Sequence, residues 1–130
     1  MKKILLIEND TMVMEFTSDF LKEEGYDVFT CSNSRDGIRL ASKIIPDAII
    51  SDIKLPDAGE FEICKAMRSS DVTASIPVIF ITEREQDIQT GMQIGADEFL
   101  AKPFSLSQLL KTITNVFNEQ PVLVPVFINI

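Results

Sequence analysis

Residues 46–57 read PDAIISDIKLPD. Residues 48–50 form a short continuous apolar run, which is typical of a strand covered on both faces in a parallel sheet. The run ends at Ser51-Asp52, and a loop containing Pro56 follows. The stretch therefore predicts a buried strand that ends on a carboxylate, at the edge where parallel α/β sheets bind their ligands.

Apolar runs alternate with helical patterns on both sides of this strand. The predicted strands cover residues 4–7, 26–31, 48–52, 76–81 and 96–100. The predicted helices cover about residues 11–24, 34–45, 60–69, 85–94 and 106–117. This alternation predicts an α/β fold, a doubly wound five-stranded parallel sheet with right-handed crossovers and helices on both faces.

Length and composition exclude several function classes. The 130-residue chain is the size of one domain, and 45% hydrophobic residues are enough for one core. A net charge of -8 excludes a basic nucleic-acid footprint. The absence of histidine excludes a Cys/His catalytic pair, and Cys31 and Cys64 lack the spacing of a zinc site. Because no apolar run is long enough for a signal peptide or a membrane span, we expect a cytoplasmic protein with no membrane partner.

Polar side chains follow four of the five predicted strands. Those residues are Glu8, Asn9 and Asp10 after the first strand, Asp52 after the third, Thr82 after the fourth and Lys102 after the fifth. Because the carboxyl ends of parallel strands meet at one edge of the sheet, we expect these side chains to lie close together. Carboxylates brought this close repel one another unless a cation lies among them.

The same set of side chains predicts phosphoryl chemistry assisted by a metal ion. Mg²⁺ fits, because one or two carboxylates plus water and phosphate oxygens satisfy it. Lys102 supplies a point charge for a phosphate oxygen, and Thr82 supplies a hydrogen bond. Asp52 beside a metal ion can attack phosphorus and become an aspartyl phosphate. The sequence contains no glycine-rich phosphate loop, so nucleotide binding is not predicted.

Each of these residues also has an ordinary structural interpretation. Asp10 suits the N-cap of the first helix, Thr82 can simply end a strand, and Lys102 precedes a proline as many surface lysines do. The functional interpretation rests on the recurrence of polar residues at the same end of consecutive strands.

Four motifs lie at the predicted carboxyl edge of the sheet: IEND at 7–10, PDAIISDIKLPD at 46–57, PVIFIT at 77–82 and GADEFLAKPF at 95–104. Together they resemble the response-regulator receiver family. The resemblance covers about residues 2–119 and implies a flavodoxin-like sheet with the strand order 2-1-3-4-5. It implies a receiver domain over residues 1–120 and leaves residues 121–130 as an apolar tail or linker stub.

The resemblance implies that Asp52 is the phosphoacceptor. Glu8 and Asn9 match the acidic pair that holds Mg²⁺, with Asp52 and the backbone carbonyl of Lys54 as further ligands.

The resemblance also implies a switch. Thr82 and Lys102 match the switch hydroxyl and the phosphate-binding lysine. Phe99 matches the aromatic residue that couples the site to a partner-binding face formed by the fourth helix, the fifth strand and the fifth helix. The peptide before Pro103 matches one that is cis in the family.

Several positions depart from the family pattern. Asn9 stands where a metal-binding aspartate is usual, which predicts weaker Mg²⁺ binding and slower phosphorylation. Gly59-Glu60 stands where Asp-Gly is usual, which predicts a different turn before the third helix. Glu83 replaces a small residue and adds negative charge beside Thr82.

Lys54 and Arg84 lie two residues beyond Asp52 and Thr82. Two cations at these positions predict an acyl phosphate that is shielded from water and therefore long-lived. The alternative is that both side chains point into solvent.

The leading hypothesis is a phosphorylation switch and not an enzyme with a separate substrate, although slow autodephosphorylation is compatible with it. Its donor would be a phosphohistidine on a histidine kinase or phosphotransfer domain, and its downstream effector is left open. The alternative is a pseudo-receiver, a phosphorylation-independent interaction or dimerisation module, which Asn9, Glu60 and Glu83 favour. A metal-dependent phosphatase is less favoured, because Lys54 stands where such an enzyme needs a second aspartate. A homodimer through the fourth and fifth helices or through the tail stays open.

Overall fold

A computed structural model describes residues 1–59 and 61–118. Five strands and five helices alternate along this part of the chain. The strands are β1 (Lys3–Ile7), β2 (Asp27–Cys31), β3 (Ala48–Asp52), β4 (Val78–Thr82) and β5 (Glu98–Ala101). The helices are α1 (Thr11–Glu23), α2 (Ser34–Ile44), α3 (Glu62–Arg68), α4 (Gln86–Ile94) and α5 (Leu106–Phe117). The predicted tail at residues 121–130 lies outside the described residues.

The strands form one parallel sheet in the order β2-β1-β3-β4-β5. In this sheet Leu5 of β1 pairs with Phe29 of β2 on one side and with Ile49 of β3 on the other. The predicted α/β class, the parallel sheet and the strand order are confirmed. No helix within residues 1–59 and 61–118 is long and apolar enough to cross a membrane.

Two apolar clusters cover the two faces of the sheet. Leu5 and Ile7 belong to the cluster that packs against α2 and α3, through residues such as Met67. Ile4 and Leu6 belong to the cluster under α1 and α5. These four apolar side chains of β1 are fully buried, and burial of each stabilises the fold by about 1.5–3 kcal/mol. The continuous apolar run therefore reflects a strand covered on both faces.

Three predicted boundaries differ from the structure by two residues. β4 begins at Val78 and not at Ile76, directly after Pro77, which has no N–H for the ladder. β5 begins at Glu98 and not at Ala96, and the preceding Asp97 uses its side chain to accept hydrogen bonds from Arg68 and from the backbone N–H of Val78.

The third boundary is the start of α3, at Glu62 and not near Glu60. The preceding residue, Phe61, has a left-handed backbone with φ of 66°. A residue in that conformation cannot continue a right-handed helix, so the helix begins after it. The predicted difference in the turn at Glu60 itself lies outside the described residues.

Candidate functional site

The carboxyl ends of β1, β3, β4 and β5 bring polar side chains to one edge of the sheet. Asp52 is the last residue of β3 and Thr82 the last residue of β4, while Glu8 and Lys102 directly follow β1 and β5. The backbone N–H of Lys102 donates to the carbonyl of Thr82 at 2.8 Å, which carries the β4–β5 pairing one residue beyond the strands. The parallel topology therefore places these four residues together.

Lys102 bridges two carboxylates at this edge. Its Nζ donates a hydrogen bond to Oδ2 of Asp52 at 2.9 Å and lies 3.4 Å from Oε1 of Glu8. The other oxygen of Asp52, Oδ1, accepts a hydrogen bond from the backbone N–H of Lys54 at 3.0 Å. The side chains of Lys102 and Asp52 are 17% and 16% exposed, so their attraction is only partly screened by water.

The cluster shifts the pKa of two of its members. Burial raises the pKa of Glu8, and the nearby charge of Asp52 adds to that rise, although the backbone N–H of Asp10 opposes it. Burial alone would lower the pKa of Lys102. The hydrogen bond and negative charge of Asp52, together with the charge of Glu8, outweigh burial and raise that pKa. Lys102 is therefore a permanent cation at neutral pH.

The donor set at this edge fits a hard divalent cation. Oε1 of Glu8 is buried and accepts no hydrogen bond, so it is available to ligate a metal ion or to accept a hydrogen bond from a metal-bound water. Asp52 and Glu8 both lie close to Nζ of Lys102, and the exposed Asn9 follows Glu8 with an amide oxygen. Within residues 1–59 and 61–118 no three His, Cys, Asp or Glu side chains converge, so a bound Mg²⁺ would need the amide, a carbonyl and water besides the two carboxylates.

Asp10 caps α1. Its Oδ1 accepts hydrogen bonds from the backbone N–H groups of Met12 at 2.9 Å and Val13 at 3.2 Å. Its own backbone N–H donates to Oε2 of Glu8 at 3.1 Å. The structural interpretation of Asp10 is therefore the correct one, and its backbone fixes one oxygen of Glu8.

Thr82 is buried, with 4% of its surface exposed. Its Oγ1 donates to Oδ2 of Asp87 at 3.0 Å, with the carbonyl of Arg84 as a second acceptor at 3.2 Å. The same oxygen accepts from the backbone N–H of Arg84 at 3.0 Å. A small cavity of about 50 Å³ lies between Asp52, Thr82 and Asp87. Thr82 thus lines the same cavity as Asp52 and Asp87.

Phe99 lies in the middle of β5 and is half-buried. Its ring packs against Phe80 with a centroid distance of 5.9 Å, and Phe61 packs edge-on against Phe80 with a centroid distance of 5.5 Å. The ring also lies against Gly91 of α4, where any side chain would collide with it. Phe99 therefore connects the sheet to α4 within the described part of the chain.

The remaining predicted residues lie at the rim. The side chains of Lys54 and Glu83 are exposed, and Arg84 is 45% exposed with Nε 3.8 Å from Oδ2 of Asp87. The Lys102–Pro103 peptide is cis.

An open groove of about 690 Å³ lies beside the cluster, between α1 and the loop after β5. Its apolar lining comes from Met12, Val13, Phe16, Pro103 and Phe104, and Lys102 lines it as well. Met12 and Phe16 are 80% and 58% exposed, an unusual position for large apolar side chains. The groove opens next to the Asp52–Lys102 pair.

Sequence comparison matches residues 4–114 to the response regulator receiver domain. The chain belongs to the response regulator receiver family. Transcriptional regulatory protein CrdR of Helicobacter pylori is 32% identical over 123 residues, which are 93% of this chain and 57% of that protein. DNA-binding dual master transcriptional regulator RpaA of Synechocystis is 35% identical over 115 residues, or 87% of this chain and 48% of that protein. This receiver sequence thus spans about half the length of the curated relatives it matches.

Solved receiver structures share the fold. The chemotaxis response regulator CheY4 of Vibrio cholerae superposes with a TM-score of 0.85 at 32% identity, and the match covers 89% of this chain and 98% of that one. The resemblance identified in the sequence is therefore confirmed for the family and for the fold.

Two polar residues of this receiver domain had no predicted role. The sequence predicts Asp87 only as part of the helix at about residues 85–94, and Asp57 only as part of the motif at residues 46–57. In the structure Asp57 accepts hydrogen bonds from the backbone N–H groups of Ser34 at 2.8 Å and Arg35 at 2.9 Å. It thereby joins the loop after β3 to the start of α2. An acidic residue in a loop carries no sequence signal that names its distant partner.

Proposed function

We propose that this receiver domain is a phosphorylation switch in which Asp52 takes a phosphoryl group in a Mg²⁺-dependent reaction. The observation that carries the proposal is the position of Lys102 Nζ, between the carboxylates of Asp52 and Glu8 at the sheet edge where Thr82 also ends. A fixed ammonium beside a carboxylate suits the negative charge that develops on a transferring phosphoryl group.

The donor that fits is a phosphohistidine on a histidine kinase or phosphotransfer domain. One oxygen of Asp52 forms a bond to phosphorus while the bond from phosphorus to the imidazole nitrogen breaks, and the imidazole leaves with the electron pair and takes a proton. Lys102 pairs with a phosphoryl oxygen, and the Thr82 hydroxyl donates to another. The product is an aspartyl phosphate on β3.

Glu8, Asn9, Asp52 and the carbonyl of Lys54 would hold Mg²⁺. When bound, the ion neutralises phosphoryl oxygens and the carboxylates around them. Asn9 contributes an oxygen but no charge, so Mg²⁺ binding by this receiver domain is weak and phosphorylation is correspondingly slow.

The groove beside the site suits the phosphodonor. Its lining is mostly apolar, and it includes Lys102, so a helical partner that buries Met12 and Phe16 would bring its phosphohistidine close to Asp52. Phe16→Ala should slow transfer from a protein donor but leave transfer from a small donor unchanged. The equally exposed Val72 lies outside this groove, so Val72→Ala is the matched control.

The lifetime of the acyl phosphate depends on the same edge of the sheet. Lys54 and Arg84 flank the cavity at Asp52, and together they shield the acyl phosphate from water, so autodephosphorylation is slow. A half-life that is unchanged in the Lys54→Ala, Arg84→Ala double variant would contradict this role.

Asp52 and Thr82 line one cavity, and Asp52 also forms an ion pair with Lys102. This arrangement disfavours the pseudo-receiver alternative. The deciding experiment is to incubate the chain with acetyl phosphate, with and without Mg²⁺, and to follow its intact mass beside Asp52→Asn. We expect a Mg²⁺-dependent gain of one phosphoryl group that is absent in the variant. No gain at high Mg²⁺ would overturn the proposal in favour of a phosphorylation-independent module.

A further inference from the structure

The hydroxyl of Thr82 is engaged by a carboxylate on the following helix. Oδ2 of Asp87, in the first turn of α4, lies 3.0 Å from Oγ1 of Thr82. Asp87 is only 7% exposed and Thr82 only 4%, so the hydrogen bond is formed away from bulk water. A hydrogen bond to a charged partner is stronger than one between neutral groups, and it is stronger still where water is excluded.

The hydroxyl has a single proton to donate. Both Asp87 and a phosphoryl group on Asp52 need that proton, and Asp52, Thr82 and Asp87 line the same small cavity. Oγ1 of Thr82 also accepts a hydrogen bond from the backbone N–H of Arg84, so one of its two lone pairs is already used. A hydrogen bond from Thr82 to a phosphoryl oxygen and the Thr82–Asp87 hydrogen bond are therefore mutually exclusive.

We propose that Asp87 is a positioning residue that holds the Thr82 hydroxyl in the unphosphorylated receiver domain and releases it when Asp52 is phosphorylated. This inference rests on the proposed function. Released from Thr82, the buried Asp87 carboxylate needs a new partner, because an unpaired buried charge is costly.

Arg84 supplies that partner. Its Nε already lies 3.8 Å from Oδ2 of Asp87, just outside hydrogen-bond distance, and its side chain is 45% exposed and free to move inward. The movement would pull on the loop between β4 and α4, because the backbone N–H of Asp87 donates to the carbonyl of Arg84. The event at Asp52 thus reaches the first turn of α4, one element away from the phosphorylation site.

The test uses beryllium trifluoride, a mimic of the phosphoryl group on a carboxylate, in the presence of Mg²⁺. Its affinity is measured by calorimetry for the native chain and for Asp87→Asn, in which a neutral amide holds the Thr82 proton less strongly. We expect roughly tenfold tighter binding, which corresponds to about 1.4 kcal/mol. Glu85→Gln removes the same charge from an exposed neighbour and should leave the affinity unchanged.

Substitutions of Thr82 distinguish an effect of Asp87 that acts through the Thr82 hydroxyl from a purely structural role of Asp87. In a Thr82→Val background, which has no hydroxyl, Asp87→Asn should have no further effect on the affinity. In Thr82→Ser, which keeps the hydroxyl, the full effect should return. The same increase in the Thr82→Val background, or equal affinities of the native chain and Asp87→Asn, would overturn the inference. A native chain that binds no beryllium trifluoride and gains no phosphoryl group would instead overturn the proposed function itself.

Discussion

The ring of Phe99 in β5 occupies the space above Gly91 in α4 that a side chain would fill. A Cβ atom built on Gly91 collides with the Phe99 ring and closely approaches Phe61. Glycine at this helix position is intrinsically unfavourable by about 1 kcal/mol relative to alanine. The packing of α4 against the aromatic row thus requires a residue that helix propensity disfavours.

Gly91→Ala should therefore destabilise the domain. The overpacking cost of about 1–3 kcal/mol is offset by a gain in helix propensity of about 1 kcal/mol, so a net loss of up to about 2 kcal/mol is expected in urea unfolding. Gly59→Ala is the matched control, because nothing lies within 4 Å of a Cβ at that position. Phe99→Leu should restore stability to Gly91→Ala. A stabilised Gly91→Ala variant would show that Phe99 moves aside without cost.

Lys102→Met should destabilise the domain at neutral pH and abolish phosphoryl acceptance. The substitution keeps the apolar stem but leaves Glu8 and Asp52 facing each other without a cation. Loss of a charged hydrogen-bond partner costs about 1–3 kcal/mol, and we expect a loss in this range in urea unfolding. Lys54→Met removes an exposed lysine from the same edge and should change stability little. Equal stability of both variants would indicate that Lys102 is not a structural counter-ion.

The sequence was sufficient to predict the sheet because the three central strands, β1, β3 and β4, each contain a short, continuous apolar run. The run from Ile4 to Ile7 is typical of a strand covered on both faces, and such strands alternating with helices leave few topologies. The same logic placed Glu8, Asp52, Thr82 and Lys102 at one edge, since parallel strands end together. The position of these residues follows from topology and needs no knowledge of side-chain packing.

The contacts of Asp87 and Asp57 could not be predicted in this way. Each depends on the path of a loop, which sets the distance from Thr82 to α4 and from the loop after β3 to α2. The start of β5 was misplaced for a similar reason. The sequence pattern places Asp97 in the strand, because it does not show the hydrogen bond that the Asp97 side chain accepts from Arg68 of α3.

Glu8→Gln should stabilise the domain at neutral pH but not in acid. Burial raises the pKa of Glu8 above its ordinary value of 4.5, so the folded state binds the proton more tightly than the unfolded state does. Protonated Glu8 makes a favourable contribution to the stability of the folded state. This contribution is fully present below the ordinary pKa and is lost as pH rises through the raised pKa of the folded state. Urea unfolding at about pH 4 and at neutral pH should show the difference. Glu15→Gln, on the exposed side of α1, should show none.

Asp57→Asn should have the opposite pH dependence. Hydrogen bonds from the backbone N–H groups of Ser34 and Arg35 lower the pKa of Asp57 below its ordinary value of 3.8. The stabilising contribution is therefore present above the ordinary pKa and disappears as pH falls through the lowered one. The variant should unfold at a lower urea concentration than the native chain at neutral pH, and the two should converge in strong acid. Asp71→Asn is the exposed control. A difference in urea midpoint between Asp57→Asn and the native chain that does not change with pH would show that the effect comes from the geometry of the side chain and not from its charge.

Asn9→Asp should have effects of opposite sign with and without Mg²⁺. In the absence of metal, the new carboxylate beside Glu8 and Asp52 adds repulsion that Lys102 alone does not neutralise, so the urea midpoint should fall. With Mg²⁺ present, the added charge should tighten metal binding about tenfold, in line with the Coulomb energy of about 1–2 kcal/mol in a water-exposed site. Binding of Mg²⁺ to the folded state alone then raises the midpoint by mass action.

The matched control is Asn115→Asp, which adds the same charge on an exposed position of α5. It should change neither the Mg²⁺ affinity measured by calorimetry nor the dependence of the urea midpoint on Mg²⁺. Equal Mg²⁺ affinities of the native chain and Asn9→Asp would mean that residue 9 does not reach the ion. The slow phosphorylation proposed for this chain would then need a different cause, and Glu83, the exposed acid beside Thr82, would be the next residue to replace.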